Sequence, residues 1–229
     1  MSASSLSAPA APVRPVIVAP PVRIAQPTLV VVDRGDDVAL LHALAAVWRQ
    51  VDPQLPDLVD YQRRGLIAFL PINARSAREL AAWAVRLDAV RLPRFHLHQR
   101  GTAPEARRRQ AAVAAIDRQA NRCGRLTAKR ALVNYLHPSA LVAAGGPRTA
   151  FGDRDDVVAG VAAARLAAAG VGLRWRDLNA ATQQRLRRRA QLWLAREVVA
   201  RMTPELAALR DPHGETPQWL RDLQDLATW

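Results

Sequence analysis

The spacing of apolar positions changes character near residue 100. Residues 28–33 (TLVVVD) form a β-branched run closed by Gly35-Asp36-Asp37, which predicts a strand and a turn. Asp36 or Asp37 is then placed to cap a helix over 38–50, with Leu41, Leu44, Ala45 and Trp48 on one face. Pro53 and Pro56 break that pattern. A short helix over 57–64 follows, and after Gly65 the apolar run 66–72 reads as a strand in preference to more helix. Ser76 and Glu79 give the S-x-x-E signal of a helix start, and Leu80, Trp83, Ala84, Leu87 and Val90 follow at helical spacing. Residues 94–99 (RFHLHQ) alternate, with Phe95 and Leu97 on one side and His96 and His98 on the other, predicting a third strand. Short connections between such units make the strands parallel.

From Thr102 onward the pattern is helical, over 104–123, 127–137, 153–169, 174–202, 204–210 and 217–227. Gly124 and Gly170 stand where a left-handed helix end is wanted. Asp153 suits an N-cap, with Asp155 and Asp156 in the first turn, and Thr203-Pro204 and Thr216-Pro217 each set a hydroxyl before a first-turn proline. The expectation is an α-rich α+β fold: a small three-stranded sheet with helices, then a bundle-like helical part. In domain terms, 1–27 is a Pro/Ala-rich flexible or docked arm. Residues 28–100 are a small α/β region, and 101–229 a basic helical region with an acidic tail. The arm carries no acid, a look shared with mitochondrial transit peptides, but its prolines oppose the amphipathic helix such a signal needs.

Composition narrows the class. Half of the 229 residues are apolar and 23% charged, which excludes disorder throughout. The single cysteine, Cys123, excludes an intramolecular disulfide and any multi-cysteine zinc site. A membrane partner is not expected, and a cytoplasmic location is, with the mitochondrial matrix as the alternative. Lys129 is the one lysine among 33 basic residues, the codon signature of a GC-rich, bacterial-type genome, so arginine in place of lysine is not in itself a sign of phosphate recognition.

The net charge of +13 survives that correction, and it is uneven. Residues 33–92 balance eight basic groups against eight acidic ones, whereas 93–150 set eleven basic groups against Glu105 and Asp117. Within 174–201, eight arginines face Asp177 and Glu197. Concentrated charge of this kind is the footprint of an anionic polymer. On a helix over 104–123, Val113, Ile116, Ala120 and Cys123 form an apolar stripe, with Arg107, Arg118 and Arg122 within about 60° of one another on the opposite side. Arg108, Arg125, Lys129 and Arg130 extend this candidate nucleic-acid-binding set, to which the second segment adds Arg174, Arg176, Arg185, Arg188, Arg189 and Arg196. The helix over 180–202 reads as mostly buried with one basic edge. That edge either extends the first surface or pairs with Asp153, Asp155, Asp156 or the acidic tail. A helix-turn-helix over 164–183 would put Arg174, Trp175 and Arg176 at the head of a recognition helix, against the default of a glycine helix end.

Signals for catalysis are weak. His96 and His98 share a strand face and are candidate metal ligands, with Asp33 or His137 as a third, but exposed positions on an edge strand are the plainer expectation. In that setting they would also add charge below about pH 6.5. Gly145-Gly146-Pro147-Arg148 lacks the spacing of a phosphate loop. Cys123 reads as a small core residue, with arginines near enough to depress its pKa. No cofactor is implied. The sequence thus points to a non-catalytic protein that binds the phosphate backbone of duplex DNA or structured RNA. The rival is a structural or assembly subunit of a larger complex whose basic face docks an acidic partner, and a metal-dependent enzyme built on the first half is a weaker third.

Overall fold

The computed structural model describes residues 26–170 and 172–228, so the arm expected over 1–27 lies outside the described residues but for its last two. The fold is α-rich α+β, with four strands where three were expected. Strands β1 (Thr28–Val32), β2 (Ile67–Pro71), β3 (Arg94–His98) and β4 (Arg122–Leu126) lie in the order β2-β1-β3-β4, all parallel. Val30, Val31 and Val32 are all fully buried, as a strand covered on both faces requires.

Helix α1 (Gly35–Trp48) covers one face, where its Leu40, Leu41 and Leu44 join Val30, Val32, Phe95 and Leu97. Helices α3 (Ala77–Arg86) and α4 (Glu105–Asp117) cover the other, with Leu80, Val113 and Ile116 around Val31. The short α2 (Leu58–Arg63) precedes β2. The rest of the chain builds outward on the α1 side. It comprises a 3-10 turn (Leu132–Tyr135), α5 (Pro138–Ala143), α6 (Val157–Ala168), α7 (Ala180–Trp193), a π-helical turn (Leu194–Val198), α8 (Pro204–Arg210) and α9 (Glu215–Ala227). Its Leu136, Leu141, Val161, Leu194, Val198 and Trp219 share one apolar core with α1.

The fourth strand replaces the end of a predicted helix. α4 stops at Asp117, Asn121 takes a left-handed φ of 57°, and the chain turns back into β4. Gly124 is therefore no helix cap. It sits mid-strand beneath α4, where a Cβ would stand 2.7 Å from the Val113 carbonyl oxygen. β4 is an edge strand, and Asp117 Oδ1 accepts from the Gly124 N–H at 3.0 Å, protecting one group such an edge leaves unpaired.

Other boundaries move for similar local reasons. The helix expected over 127–137 contracts to the 3-10 turn. α6 is capped by Asp156, which accepts from Ala159 N–H at 3.1 Å, and not by Asp153, which is engaged with Lys129. The segment over 174–202 divides into a 3-10 turn (Trp175–Asp177), α7 capped by Asn179, and the π turn. α9 is started by Asp211, which accepts from the Glu215 and Thr216 N–H groups, so Thr216 is buried within the first turn and caps nothing. α1 begins ahead of Asp36, and Asp37 reaches back to the Arg34 N–H at 3.0 Å. Ser76 caps α3 as expected, but Glu79 reaches the Arg75 N–H in place of its own cap residue's. Thr203 caps α8, and Gly170 ends α6 with φ 66°. The connection from α6 to α7 holds two left-handed glycines and a 3-10 turn, far more than the three to four residues joining a helix-turn-helix. Arg174, Trp175 and Arg176 lie in that connection. Among the described residues no helix is long and apolar enough to cross a membrane.

Candidate nucleic-acid interface

The carboxyl ends of β1 and β3 carry a buried polar network beneath α4. Asp33, one residue past β1, accepts from His98 Nδ1 at 2.8 Å, the Gln99 N–H at 2.8 Å and the Arg109 guanidinium at 2.9 Å. Burial alone would push the Asp33 carboxyl up, but the bond from His98, the Arg109 charge and the Gln99 amide outweigh it and hold it below the ordinary range. Arg109 also donates to the carbonyls of Gln99 and Ala74, tying α4 to β3 and to the segment after β2. Beside this, Asp37 accepts from the Gln99 side chain at 2.7 Å.

His96 and His98 thus differ from the exposed edge-strand residues expected. β3 is an inner strand, and both imidazoles are buried beneath α3 and α4. Burial, with His98, Arg94 and Arg122 nearby, pulls His96 down to about 3, so it adds no positive charge near pH 6.5. Asp33 does reach His98, whereas His137 sits apart as the cap of α5, accepting from the Ser139 N–H. Among the described residues no group of three or more His, Cys, Asp or Glu is arranged to hold a metal ion. Cys123, half-buried on β4, has its thiol pushed up to about 12 by burial, against the opposing charge of Arg125.

The arginines singled out by sequence divide sharply. Arg122 lies on β4, not on the face of a helix, and pairs with Asp88 at 2.8 Å. Arg125 bonds Asp222 at 2.6 Å and Asp117 at 3.1 Å. Lys129 is buried, its Nζ 2.5 Å from Asp153, and Arg130 pairs with Asp156 at 3.0 Å. These four hold the fold together. By contrast Arg107, Arg108 and Arg118 are exposed on α4 and at its end, the nearest carboxylate being Glu105, 3.8 Å from Arg108.

Helix α7 is less buried than expected: burial sets in only at Ala190, and Arg185, Arg188 and Arg189 project from its exposed turns. Arg196 and Arg174 are also exposed without an ion-pair partner among the described residues, while Arg176 has Asp177 at 3.7 Å. The pairing to Asp156 is made by Arg187, at 2.8 Å. Because α7 belongs to the layers on the α1 side, these arginines do not continue the α4 surface.

What the α4 surface does continue into is α3. Arg75, Arg78, Arg86 and Arg91 are exposed along α3 and its flanks, and with Arg107 and Arg118 none has a carboxylate within ion-pair distance among the described residues. The acids of this layer are turned elsewhere. Asp88 serves Arg94 and Arg122, Asp117 serves Arg125 and the Gly124 N–H, Glu79 accepts from the Arg75 N–H, and Glu105 from the Ala77 N–H. The balanced charge of 33–92 hid the α3 arginines, although Arg78 and Arg86 fall off the Leu80/Leu87 face and were readable as solvent-facing. Arg109 is not among the arginines that the charge pattern singles out, yet its spacing to Val113 and Ile116 places it on the buried face of α4.

A crevice of about 350 Å³ opens at the same end of the sheet, on the α1 side, between the ends of β1 and β3 and helices α6 and α7. Arg34, Gln99, Asn134, Arg188 and Gln191 are among its lining residues. No family model, curated protein or solved structure matches the chain.

Proposed function

We propose that the protein binds nucleic acid without catalysis, through the phosphate backbone of duplex DNA or structured RNA, on the α3–α4 face. The supporting observation is the one-sided pairing of that layer: its four acids engage buried or half-buried arginines and backbone amides, leaving six exposed arginines uncompensated. A surface serving only solubility mixes its signs and pairs them along its helices. Arg107 and Arg118 fall on one line along α4, about 16 Å apart at ~1.5 Å per residue, a span that meets several phosphates. Among the described residues this face offers one half-buried ring, Trp83, with the Arg86 guanidinium 5.4 Å from its centroid, and the large exposed apolar side chains are all valine or leucine, so it lacks the row of rings that stacks single-stranded bases. Such a function belongs in the cytoplasm, where both polymers are reached.

The test is fluorescence anisotropy of labelled duplex DNA, single-stranded DNA and hairpin RNA across a salt series from about 50 to 300 mM. A log–log slope steeper than about −4 for a duplex or hairpin is expected, and Arg107→Ala and Arg118→Ala should each reduce it by about 1 without changing sequence preference. Weak binding, flat in salt or matched by heparin, would defeat this reading and leave the assembly-subunit alternative, in which the same face docks an acidic protein.

A further inference from the structure

The two helices that carry the exposed arginines are held in register with each other. α3 and α4 each lead from the carboxyl end of one strand to the start of another in an all-parallel sheet, so they run the same way along one face and pack together. Their starts are tied by Glu105, on α4, which accepts from the Ala77 N–H at the first position of α3. Their ends are tied by Asp88, just past α3, which pairs at 2.8 Å with Arg122, at the start of the strand after α4. In this register the outward positions of the two helices match. On α3 they read Arg78, Ala82, Val85 and Arg86, all exposed. On α4 they read Arg107, Ala111, Ala114 and Arg118, again all exposed. Arg78 and Arg107 therefore form one basic line across the helix starts, and Arg86 and Arg118 a second across the ends. At ~1.5 Å per residue the lines stand about 12 Å apart on α3 and about 16 Å apart on α4. Between them these outward rows hold nothing larger than valine.

Two basic lines with a smooth strip between them fit a duplex groove met from outside, the arginines on its two rims of phosphates and the small residues over its opening. The depth and width of the groove then select the polymer. Two helices side by side present a face roughly 20 Å wide, from axes about 8–10 Å apart and helices about 10–12 Å across. The major groove of B-DNA is about 12 Å wide and admits a single helix, so this pair stays on its rims. Alanine and valine cannot reach a floor about 8.5 Å below, and the strip would span empty space. The minor groove of B-DNA, about 6 Å wide, is narrower than the separation of the lines. The minor groove of A-form RNA is wide and shallow, and it lifts sugar 2′-hydroxyls to where a flat surface meets them. Gln110, exposed beside the α4 row, offers such hydroxyls both a donor and an acceptor. We propose that the α3–α4 face lies across the minor groove of an A-form RNA duplex, with Arg78 and Arg107 on the phosphates of one strand and Arg86 and Arg118 on those of the other. The proposal rests on the reading of this face as a phosphate-binding surface and adds which duplex it fits.

The experiment is fluorescence anisotropy of the full chain with a labelled RNA duplex of about 20 base pairs and the DNA duplex of the same sequence, over the same salt series. The RNA duplex should bind at least about tenfold more tightly than the DNA duplex. Arg78→Ala with Arg107→Ala, and separately Arg86→Ala with Arg118→Ala, should each lower the RNA salt slope by about 2, because each pair empties one line. Ala114→Leu puts bulk into the strip at an exposed helix position that leucine suits, so the fold is kept. It should weaken the RNA duplex about fivefold and leave the salt slope unchanged, since shape complementarity is lost and no phosphate contact is. Ala82→Leu should do the same from α3, and attraction by charge alone would respond to neither. Three results would each overturn the groove assignment while leaving the phosphate-binding face intact: equal affinity for the two duplexes, a slope insensitive to one of the arginine pairs, or wild-type RNA affinity in both leucine variants. Binding to neither duplex would remove the phosphate-binding face as well, and the groove assignment with it.

Discussion

Residues 104–118 and 122–130 are neighbours with the same arginine-rich composition, yet the fold turns one outward and the other inward. Arg107, Arg108 and Arg118 stand in solvent, whereas Arg122, Arg125, Lys129 and Arg130 each meet a carboxylate within 3.1 Å. The difference lies in what surrounds each backbone. α4 is a surface helix that buries one stripe, so its other side chains have only solvent to meet. β4 and the loop after it run between α4, α9 and the helical layers, and they meet Asp88 from the turn after α3, Asp222 from α9, and Asp153 and Asp156 from the segment leading into α6. Arg109 repeats the contrast within one turn of helix, buried between exposed Arg108 and exposed Gln110. A run of basic residues is therefore not yet a basic surface: the fold decides which of its charges a partner can reach.

The sharpest way to break that contrast is to remove an inward charge. Arg109→Ala would leave the Asp33 carboxylate buried with one cationic partner gone, and two backbone carbonyls without a donor. Breaking a buried pair in this way costs about 3–5 kcal/mol, a large part of a domain's stability. Urea denaturation of the variant should show the loss as a lower midpoint. A midpoint unchanged from wild type would mean that the network beneath α4 does not hold the helix to the sheet.

How far this division was legible depends on whether a residue's partner is near in sequence. β1, β2, β3 and the start of α3 could be read because a β-branched or apolar run, a strand's alternation or a helix's cap lies within a few residues. β4 could not, since its sequence RCGRL has little β character and what fixes it is external: α4 crossing over Gly124, and Asp117 on its edge. The same holds for charge. Sequence shows only Asp117 between Arg107 and Arg130, but Asp222, which shares Arg125 with Asp117, lies 97 residues further on, and the acid that holds Lys129 lies 24 residues on. The crevice was invisible for the same reason, as Gln191 and Asn134 come together only when α7 and the Leu132–Tyr135 turn are folded against the sheet.

A second, smaller effect probes the same buried edge through pH. Burial pushes the Asp37 carboxyl up to about 7, against the Arg34 guanidinium, and the Asp33 charge adds to the rise. Its proton is held more tightly in the folded chain than in the unfolded one. Its contribution to stability is therefore complete below the unfolded value of 3.8 and is lost as pH rises through about 7. Asp33, held below the ordinary range, works in the opposite sense and only at lower pH. Between about pH 5 and 7 the wild type should thus lose up to about 1.4 kcal/mol per pH unit relative to Asp37→Asn, which has no such proton to release. Parallel stability profiles for the two proteins across that range would remove Asp37 as the source.

The smallest expected effect is the one that completes the comparison. Arg107 and Arg118 are exposed and have no carboxylate within ion-pair distance among the described residues, so replacing both with alanine should change stability by less than about 0.5 kcal/mol. The salt slope for polymer binding should nonetheless fall by about 2 in the same protein. Paired with Arg109→Ala, this gives two classes of arginine on a single helix, one read by urea and the other by anisotropy. If the double variant lost stability as well as binding, the exposed arginines would be supporting α4 itself, and the weaker binding would only report a damaged fold. If it lost neither, the uncompensated charge on the α3–α4 face would have no phosphate partner, and its excess would belong to an acidic protein surface.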